Sequence, residues 1–329
     1  MTIPAYLTAC EHFGLTVPLF QAPTGSIAGP ELAAAVSSAG AMGALALTWT
    51  DPETARAHVS AVRRATPNPF LVNFALAFPP ASLPAALDAG APIVSFSWGD
   101  PTPHITMVAR AGARVGVQVT GAAGARRAVE MGADFVICQG VEAGGHVQSS
   151  APLIDILASV IDAANGLPVI AAGGISDAVG IANVLRLGAS GAMLGTRFVA
   201  TRESRAHEDY KQQIVRAKRD DTALTVCFEG GWPNATHRVL RNDTLVTWEA
   251  FGCPPVGNRP GEGDVVGRSQ TGEAIMRYED TAPRVGMTGR IEDMCLYAGQ
   301  GVDGITDVPA AGELVHRLWR DASQSLSGD

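Results

Sequence analysis

Eight short apolar runs punctuate the first two thirds of the chain: Val17 to Gln21, Met42 to Leu47, Phe70 to Phe74, Ile93 to Phe96, Arg114 to Val119, Phe135 to Gln139, Pro168 to Ala172 and Gly191 to Leu194. Runs of this length, bounded by turn-forming residues, read as buried strands. Their starts lie 25, 28, 23, 21, 21, 33 and 23 residues apart. Between them come Ala-rich stretches with helical spacing that end in glycine: Glu31 to Gly40, Leu83 to Gly90, Thr102 to Gly112, Gly124 to Gly132 and Ala178 to Gly188. Glycine there suits the left-handed residue that stops a helix. The phrases MGAD (131–134) and LGAS (187–190) repeat the same helix-to-strand turn. Strand and helix alternating eight times predict an α/β fold, a (β/α)8 TIM barrel; a doubly wound open sheet is the second choice, and the even spacing favours closure.

After the eighth run the rhythm stops. Residues 203–219 look helical, 220–300 are richer in Gly, Pro, Arg and acids without a period, and Ala310 to Trp319 is again an amphipathic helix. The expected organisation is a barrel of residues 1–202 and 309–329, with 203–308 as a smaller covering domain over the barrel mouth and the last helix closing the ring.

Composition narrows the function classes. A 329-residue chain that is 47% hydrophobic can bury a large core, and a net charge of −8 argues against a nucleic-acid partner, which needs a basic face. The uncharged stretch Leu32 to Trp49 is broken at Gly40 and Gly43, so no membrane span is expected. No Lys or Arg precedes Arg56, which predicts no secretory leader, and five cysteines without metal-ligand spacing suit a reducing compartment. The expectation is a cytoplasmic monomer or homodimer acting on a small molecule.

In such a barrel the chemistry sits where the strands end. The loop QGVEAGGH (139–146) follows the sixth run and combines an amide, an acid, adjacent glycines and a histidine. Gly144 and Gly145 allow close backbone approach to a ligand, and His146 is the nearby side chain that can exchange a proton near neutral pH. Glu142 is either a solvated acid or a brace for the loop amides. The first strand ends in Gln21-Ala22-Pro23-Thr24-Gly25, the third contains Asn73 and the fifth carries Gln118. Amides at buried strand ends need partners: a flat heterocycle supplies them, or the amides tie down loop backbones. Cys138 reads as a small packed residue, and His207 with Tyr210 as packing on one helix face.

The seventh strand ends in AAGGISD (171–177) and the eighth in LGTR (194–197). These are the positions at which barrels commonly hold a phosphate on bare backbone N–H groups. Arg197 either neutralises charge there or forms a surface salt bridge. The only lysines are Lys211 and Lys218, neither at a strand end, so a Schiff-base aldolase lacks its nucleophile. A phosphate handle, ring-facing amides and one histidine point to chemistry carried by a cofactor, FMN.

QGVEAGGH, the segment PVIAAGGISDAVGIANVLRLGASGAMLGTRF (168–198), ATRESRAHEDYK (200–211), YAGQGV (297–302) and the start PLFQAPTGSIAGPELAAAVSSAG closely resemble nitronate monooxygenases, also called 2-nitropropane dioxygenases. The similarity spans nearly the whole chain. It implies FMN in the barrel mouth beneath a smaller domain, with contacts from Ala22, Pro23, Thr24, Asn73, Gln139, Gly144, Gly173, Gly174, Met193, Leu194, Gly195 and Thr196; Gln118 and Gly145 join them from the strand-end reading. His146 matches the family's active-site histidine. The implied reaction takes an alkyl nitronate and O2 to a carbonyl compound and nitrite, with His146 bonding the nitro oxygens or removing the α-proton of a neutral nitroalkane. The family also holds flavin reductases of quinones and enoyl thioesters, and a non-enzymatic barrel that binds a phosphate ligand is the other alternative. Two positions depart from the family pattern. Thr24 replaces a usual methionine, which bears on the pocket beside the flavin ring, and Gln148 replaces a usual glycine, which bears on access past His146. Trp232, His237 and Trp248 lie in the covering region and either cap the site or fill its own small core.

Overall fold

A computed structural model describes residues 3–328. Parallel strands β1 (Leu19–Gln21), β2 (Gly43–Ala46), β3 (Phe70–Ala75), β4 (Ile93–Ser97), β5 (Arg114–Val119) and β6 (Phe135–Gln139) appear first. A two-residue strand β7 (Gly145–His146) follows, then β8 (Val169–Ala172) and β9 (Gly191–Leu194). The eight-stranded sheet runs β1-β9-β8-β6-β5-β4-β3-β2. Its two ends meet through a parallel bridge between Phe20 and Met42, which makes a barrel.

At that seam Gln21, fully buried, does the work of a longer ladder. Its amide donates to the carbonyls of Ala22 (2.8 Å) and Ala44 (3.2 Å) and accepts from the N–H of Ala44 (2.8 Å). Side-chain hydrogen bonds thus add to the two backbone bonds of the seam, from the N–H of Gln21 to Met42 and from the N–H of Met42 to Leu19.

Two apolar cores hold the barrel. Between sheet and helices lie residues such as Leu45, Val94, Val136, Leu157, Ile181 and Leu314. Inside the barrel lie Phe20, Leu71, Ile93, Phe135, Ile170 and Met193, and the N-terminal helix Ala5–Phe13 plugs the end away from the loops. Phe13 meets Phe20 (5.6 Å between centroids) and Phe135 (5.1 Å) edge to face, the favoured geometry for aromatic quadrupoles. Gly116 makes room for the ring of Phe135: a Cβ at position 116 would lie 2.1 Å from it. The final helix, Ala311–Ser327, packs on the helices Pro30–Ser38 and Ala178–Arg186 and so closes the ring of helices.

Residues after β9 cover the loop end. The hairpin β10 (Thr222–Thr225) and β11 (His237–Leu240) pairs antiparallel with β7, so that His237 sits opposite His146. A second small sheet joins β12 (Val265–Arg268), β13 (Ala274–Met276) and β14 (Thr288–Gly289). Trp248 packs with Cys227, Phe228, Val239 and Tyr278 in the covering region's own core. No helix among the described residues is long and apolar enough to cross a membrane.

Arg197 corrects both readings of the sequence. It is 2% exposed and turns away from the phosphate loops, donating to the carbonyls of Ala200 and Asp307 and pairing with the Asp307 carboxylate (3.2 Å), which also holds Arg317. Burial lowers its pKa to about 10 despite Asp307. The arginine therefore ties the turn after β9 to the start of the last helix. Arg197→Ala is expected to cost about 2 kcal/mol, since the buried carbonyl of Ala200 loses its donor while Asp307 keeps Arg317. Urea unfolding checks this against FMN affinity, which should stay as in the wild type.

Candidate active site

The barrel mouth and the covering region enclose a cavity of about 790 Å³, within the range of cofactor-plus-substrate sites. Its wall includes Ala22, Pro23, Thr24, Asn73, Gln118, Gln139, Gly144, Gly145, His146, Gly173, Gly174, Met193, Gly195 and Thr196. The structure thus gathers in one space residues drawn from six strand ends. Leu194 departs from the set: it is fully buried in the core between sheet and helices, and its carbonyl accepts from the N–H of Ala22. Side chains alternate along a strand, so Met193 faces the barrel interior and Leu194 cannot.

At the β8 and β9 ends, the N–H groups of Gly174, Gly195 and Thr196 donate to no described residue. Gly174 holds φ +67° and Gly173 φ +125°, conformations that favour glycine and turn the loop over itself. The Thr196 hydroxyl accepts from the N–H of Gly299 (2.9 Å), which leaves its own O–H to donate. Bare amides and a hydroxyl, with no carboxylate engaged among them, fit a phosphate group. The YAGQGV motif lies across this cradle. A Cβ at Gly301 would come within 2.3 Å of the Gly174 carbonyl and one at Gly299 within 2.9 Å of the Glu142 carbonyl, so these glycines let the covering segment lie flat on the loops. Gly144 belongs to the same contact. A Cβ there would stand 2.4 Å from the Gly299 amide, so its bareness serves chain packing as well as any ligand; Gly145 (φ +74°) has open space instead.

The amides divide. Gln139 is spent on its own loop, accepting from the N–H of Gln148 (2.9 Å) and donating to the His146 carbonyl (3.3 Å). Gln118 donates to the Gln148 side-chain oxygen (2.7 Å), and Asn73 donates to Ser95 (3.0 Å to Oγ). Asn73 and Gln118 each keep an amide oxygen without a described partner, and both line the cavity. Those two acceptors, not Gln21 or Gln139, suit the N–H edge of a flat heterocycle. Gln148 does not narrow the way to His146. It lies outside the cavity wall and joins β5, the loop and the backbone N–H of Trp98 (3.3 Å) into one unit. Glu142 is the brace rather than the solvated acid: its carboxylate accepts from the N–H of Leu153 (3.0 Å). Thr24 lies beside Gly195, where a Cβ would be 3.8 Å from its methyl group.

His146 occupies the short strand β7 that the barrel loop lends to the covering sheet. Its ring stacks on Trp232 (4.3 Å, 22°) and meets Trp98 (6.2 Å), His237 (5.5 Å) and Tyr297 (5.6 Å). Neither imidazole nitrogen bonds to a described residue, so the ring is not pinned to the backbone. Burial, helped by His237, lowers its pKa to about 3. The ring is therefore neutral across the physiological range, with one N–H to give and one lone pair to take. His237 is different. Its Nδ1 lies 2.8 Å from the Ala235 carbonyl and its Nε2 accepts from the N–H of Phe228, which fixes a neutral tautomer and leaves it no free function. His207 and Tyr210 are structural, as their spacing suggests: His207 caps its helix and the Tyr210 hydroxyl donates to the Tyr297 carbonyl. Of the residues weighed in the covering region, Trp232 reaches the site, His237 backs it and Trp248 does not. Trp98 drew no attention in the sequence, although a tryptophan just past a strand end, in FSWGD, is a usable signal.

Comparison with known proteins bears on this cavity. The family model for nitronate monooxygenases matches residues 8–86 and 81–321. The chain belongs to the nitronate monooxygenase family. The chain is 32% identical to a nitronate monooxygenase of Pseudomonas aeruginosa across 93% of this chain and 96% of that protein. It is 34% identical, across 73% of this chain and 67% of the relative, to a (3aS,4S,5R,7aS)-5-hydroxy-7a-methyl-1-oxo-octahydro-1H-indene-4-carboxyl-CoA dehydrogenase of Mycobacterium tuberculosis. Among solved structures, a nitroalkane oxidase from Streptomyces ansochromogenes superposes with a TM-score of 0.78 at 29% identity, covering 97% of this chain and 99% of the other. Nitronate monooxygenases are flavin-dependent oxidoreductases, and this chain is an enzyme of that class. The eight parallel strands ringed by helices are the TIM-barrel fold that the spacing predicted.

Proposed function

We propose that this enzyme binds FMN in the barrel mouth and uses O2 to convert alkyl nitronates into carbonyl compounds and nitrite. The observation that carries the reading is the arrangement of His146: a neutral imidazole with no hydrogen-bonding partner among the described residues, in the same cavity as the bare backbone amides of Gly174, Gly195 and Thr196. Gly174, Gly195 and Thr196 would hold the phosphate, and Asn73 and Gln118 would accept from the ring edge. Bound FMN supplies the electron transfer from the substrate carbon to O2.

The residues of the chain do the rest. Trp232 and Trp98 shield the imidazole from water and keep its plane fixed. His146 donates its N–H to a nitro oxygen, stabilising the anion as a preorganised dipole in a dry site. An imidazole with a pKa near 3 is a feeble base toward a carbon acid, so the substrate arrives already deprotonated and the proton-abstracting role is the weaker of the two. The expected result is far faster oxygen consumption with ethyl nitronate than with neutral nitroethane at equal concentration, measured with an oxygen electrode at pH 7. A histidine held at its ordinary pKa would give an acid limb in kcat/KM near pH 6.5. Here protonation of His146 is deferred to about pH 3, so no such limb should appear for nitronate between about pH 5.5 and about pH 8.

The covering relative named a carboxyl-CoA dehydrogenase favours a second reading, in which the same cavity passes reducing equivalents to or from a thioester. Rapid flavin reduction by NADH, with negligible nitronate oxidation, decides for it.

A further inference from the structure

We propose that the outer part of the cavity is an aryl subsite, so that the nitronates this enzyme takes best carry a flat aromatic ring next to the nitro-bearing carbon. The inference rests on the nitronate reading for the reaction, and on the aromatic wall alone for the binding preference.

Four rings run from His146 to solvent. Trp232 lies face to face with the imidazole, Trp98 meets Trp232 at 4.6 Å and 71°, and Phe78 meets it at 5.3 Å and 85°. Trp49 continues the series, 5.4 Å from Phe78 and 6.4 Å from Trp232. Trp49, Trp98 and Trp232 line the cavity, and Trp49 is 59% exposed. The rings come from four separate places in the chain, the ends of β2, β3 and β4 and the covering loop before β11, so their convergence is a product of the fold.

Trp98 adds an independent sign. It holds φ +59°, a conformation that L residues with bulky side chains rarely adopt, and its N–H is secured by Gln148. Strain of this kind persists where the surroundings insist on one side-chain direction, and the direction here is into the cavity beside His146.

The charge distribution selects the ligand. Of the two arginines in the cavity lining, Arg205 is paired with Glu31 (3.0 Å), and its backbone is bonded to Ile27 and Val285. Residues 284 and 206 form a bridge, which places Arg284 beside that same segment. Next to His146 the wall offers π faces and edges without a cation, a surface that gains by stacking an apolar ring and gains nothing from a carboxylate tail. A two-carbon nitronate would fill the space at the imidazole and leave these rings in water.

The test uses the FMN-loaded protein and the anions of phenylnitromethane and nitroethane. The expected ratio of kcat/KM, aryl over ethyl, is about tenfold or more, carried mainly by KM, from one stacking contact. Trp49→Ala should bring the ratio down toward one, and Trp49→Phe should keep most of it. A ratio near one in the wild type, or a ratio that Trp49→Ala leaves unchanged, overturns the subsite. Binding of phenylacetate against propionate, read from the flavin spectrum and tryptophan fluorescence, separates the two claims. If neither nitronate is oxidised, the nitronate reading fails, while tighter binding of phenylacetate that is lost in Trp49→Ala still supports the subsite. Equal binding of the two acids overturns it whatever the turnover.

Discussion

His146→Ala is expected to give a yellow, folded protein whose kcat/KM for ethyl nitronate is lower by about 10²-fold or more, the usual loss when a positioned proton-bearing group is removed from a dry site. The colour should persist because the proposed phosphate cradle belongs to the β8 and β9 ends, whereas His146 belongs to the loop after β6. His146→Asn distinguishes the two jobs open to the ring. An amide N–H can still meet a nitro oxygen, so a hydrogen-bonding role predicts partial recovery relative to alanine. A general base predicts none, because an amide accepts no proton at neutral pH. The pKa near 3 places the expectation with recovery. Wild-type turnover in the alanine variant would take His146 out of the mechanism altogether.

Gly195→Leu is expected to weaken FMN binding sharply without unfolding the protein. The position has φ −98°, which any residue adopts, and a Cβ there would sit in ordinary contact, 3.6 Å from Ala22 and 3.8 Å from Thr24. The backbone therefore has no objection to a side chain; only a ligand does. A leucine filling the cradle should weaken FMN by about 10²-fold, the counterpart of ~3 kcal/mol. Fluorescence titration of the apoprotein reads this, and the apoprotein melting temperature should match the wild type. Unaltered FMN affinity would move the phosphate elsewhere. Gly173→Ala is a poorer probe, because φ +125° would strain the loop itself and confound folding with binding.

Much of the frame was legible because the signals are local. Each barrel strand is a short, mostly apolar run that is largely buried, and each of the eight predicted runs overlaps one of the observed barrel strands. The glycines after the helices at Gly40, Gly90, Gly112, Gly132 and Gly188 all have positive φ, as a left-handed cap requires. What escaped is what depends on distant pairing. No local pattern says that Gly145-His146 will join a hairpin almost a hundred residues on, or that Gln148 will knit Gln118, Gln139 and Trp98 together. Arg197 misled for the same reason: an arginine beside a phosphate loop invites an anion, but its partner, Asp307, comes from the far end of the chain. The amide residues were ambiguous singly, and only their hydrogen bonds separate Asn73 and Gln118, with oxygens to spare, from Gln21 and Gln139, which have none.

In the proposed function the amide cradle and the free imidazole serve one flavin. The visible spectrum of the purified protein, recorded anaerobically before and after adding ethyl nitronate, tests it most directly. Flavin bands at the start, bleaching by the nitronate, and a bleaching rate that collapses in His146→Ala are the expected results. A colourless protein that takes up no FMN on reconstitution would contradict it.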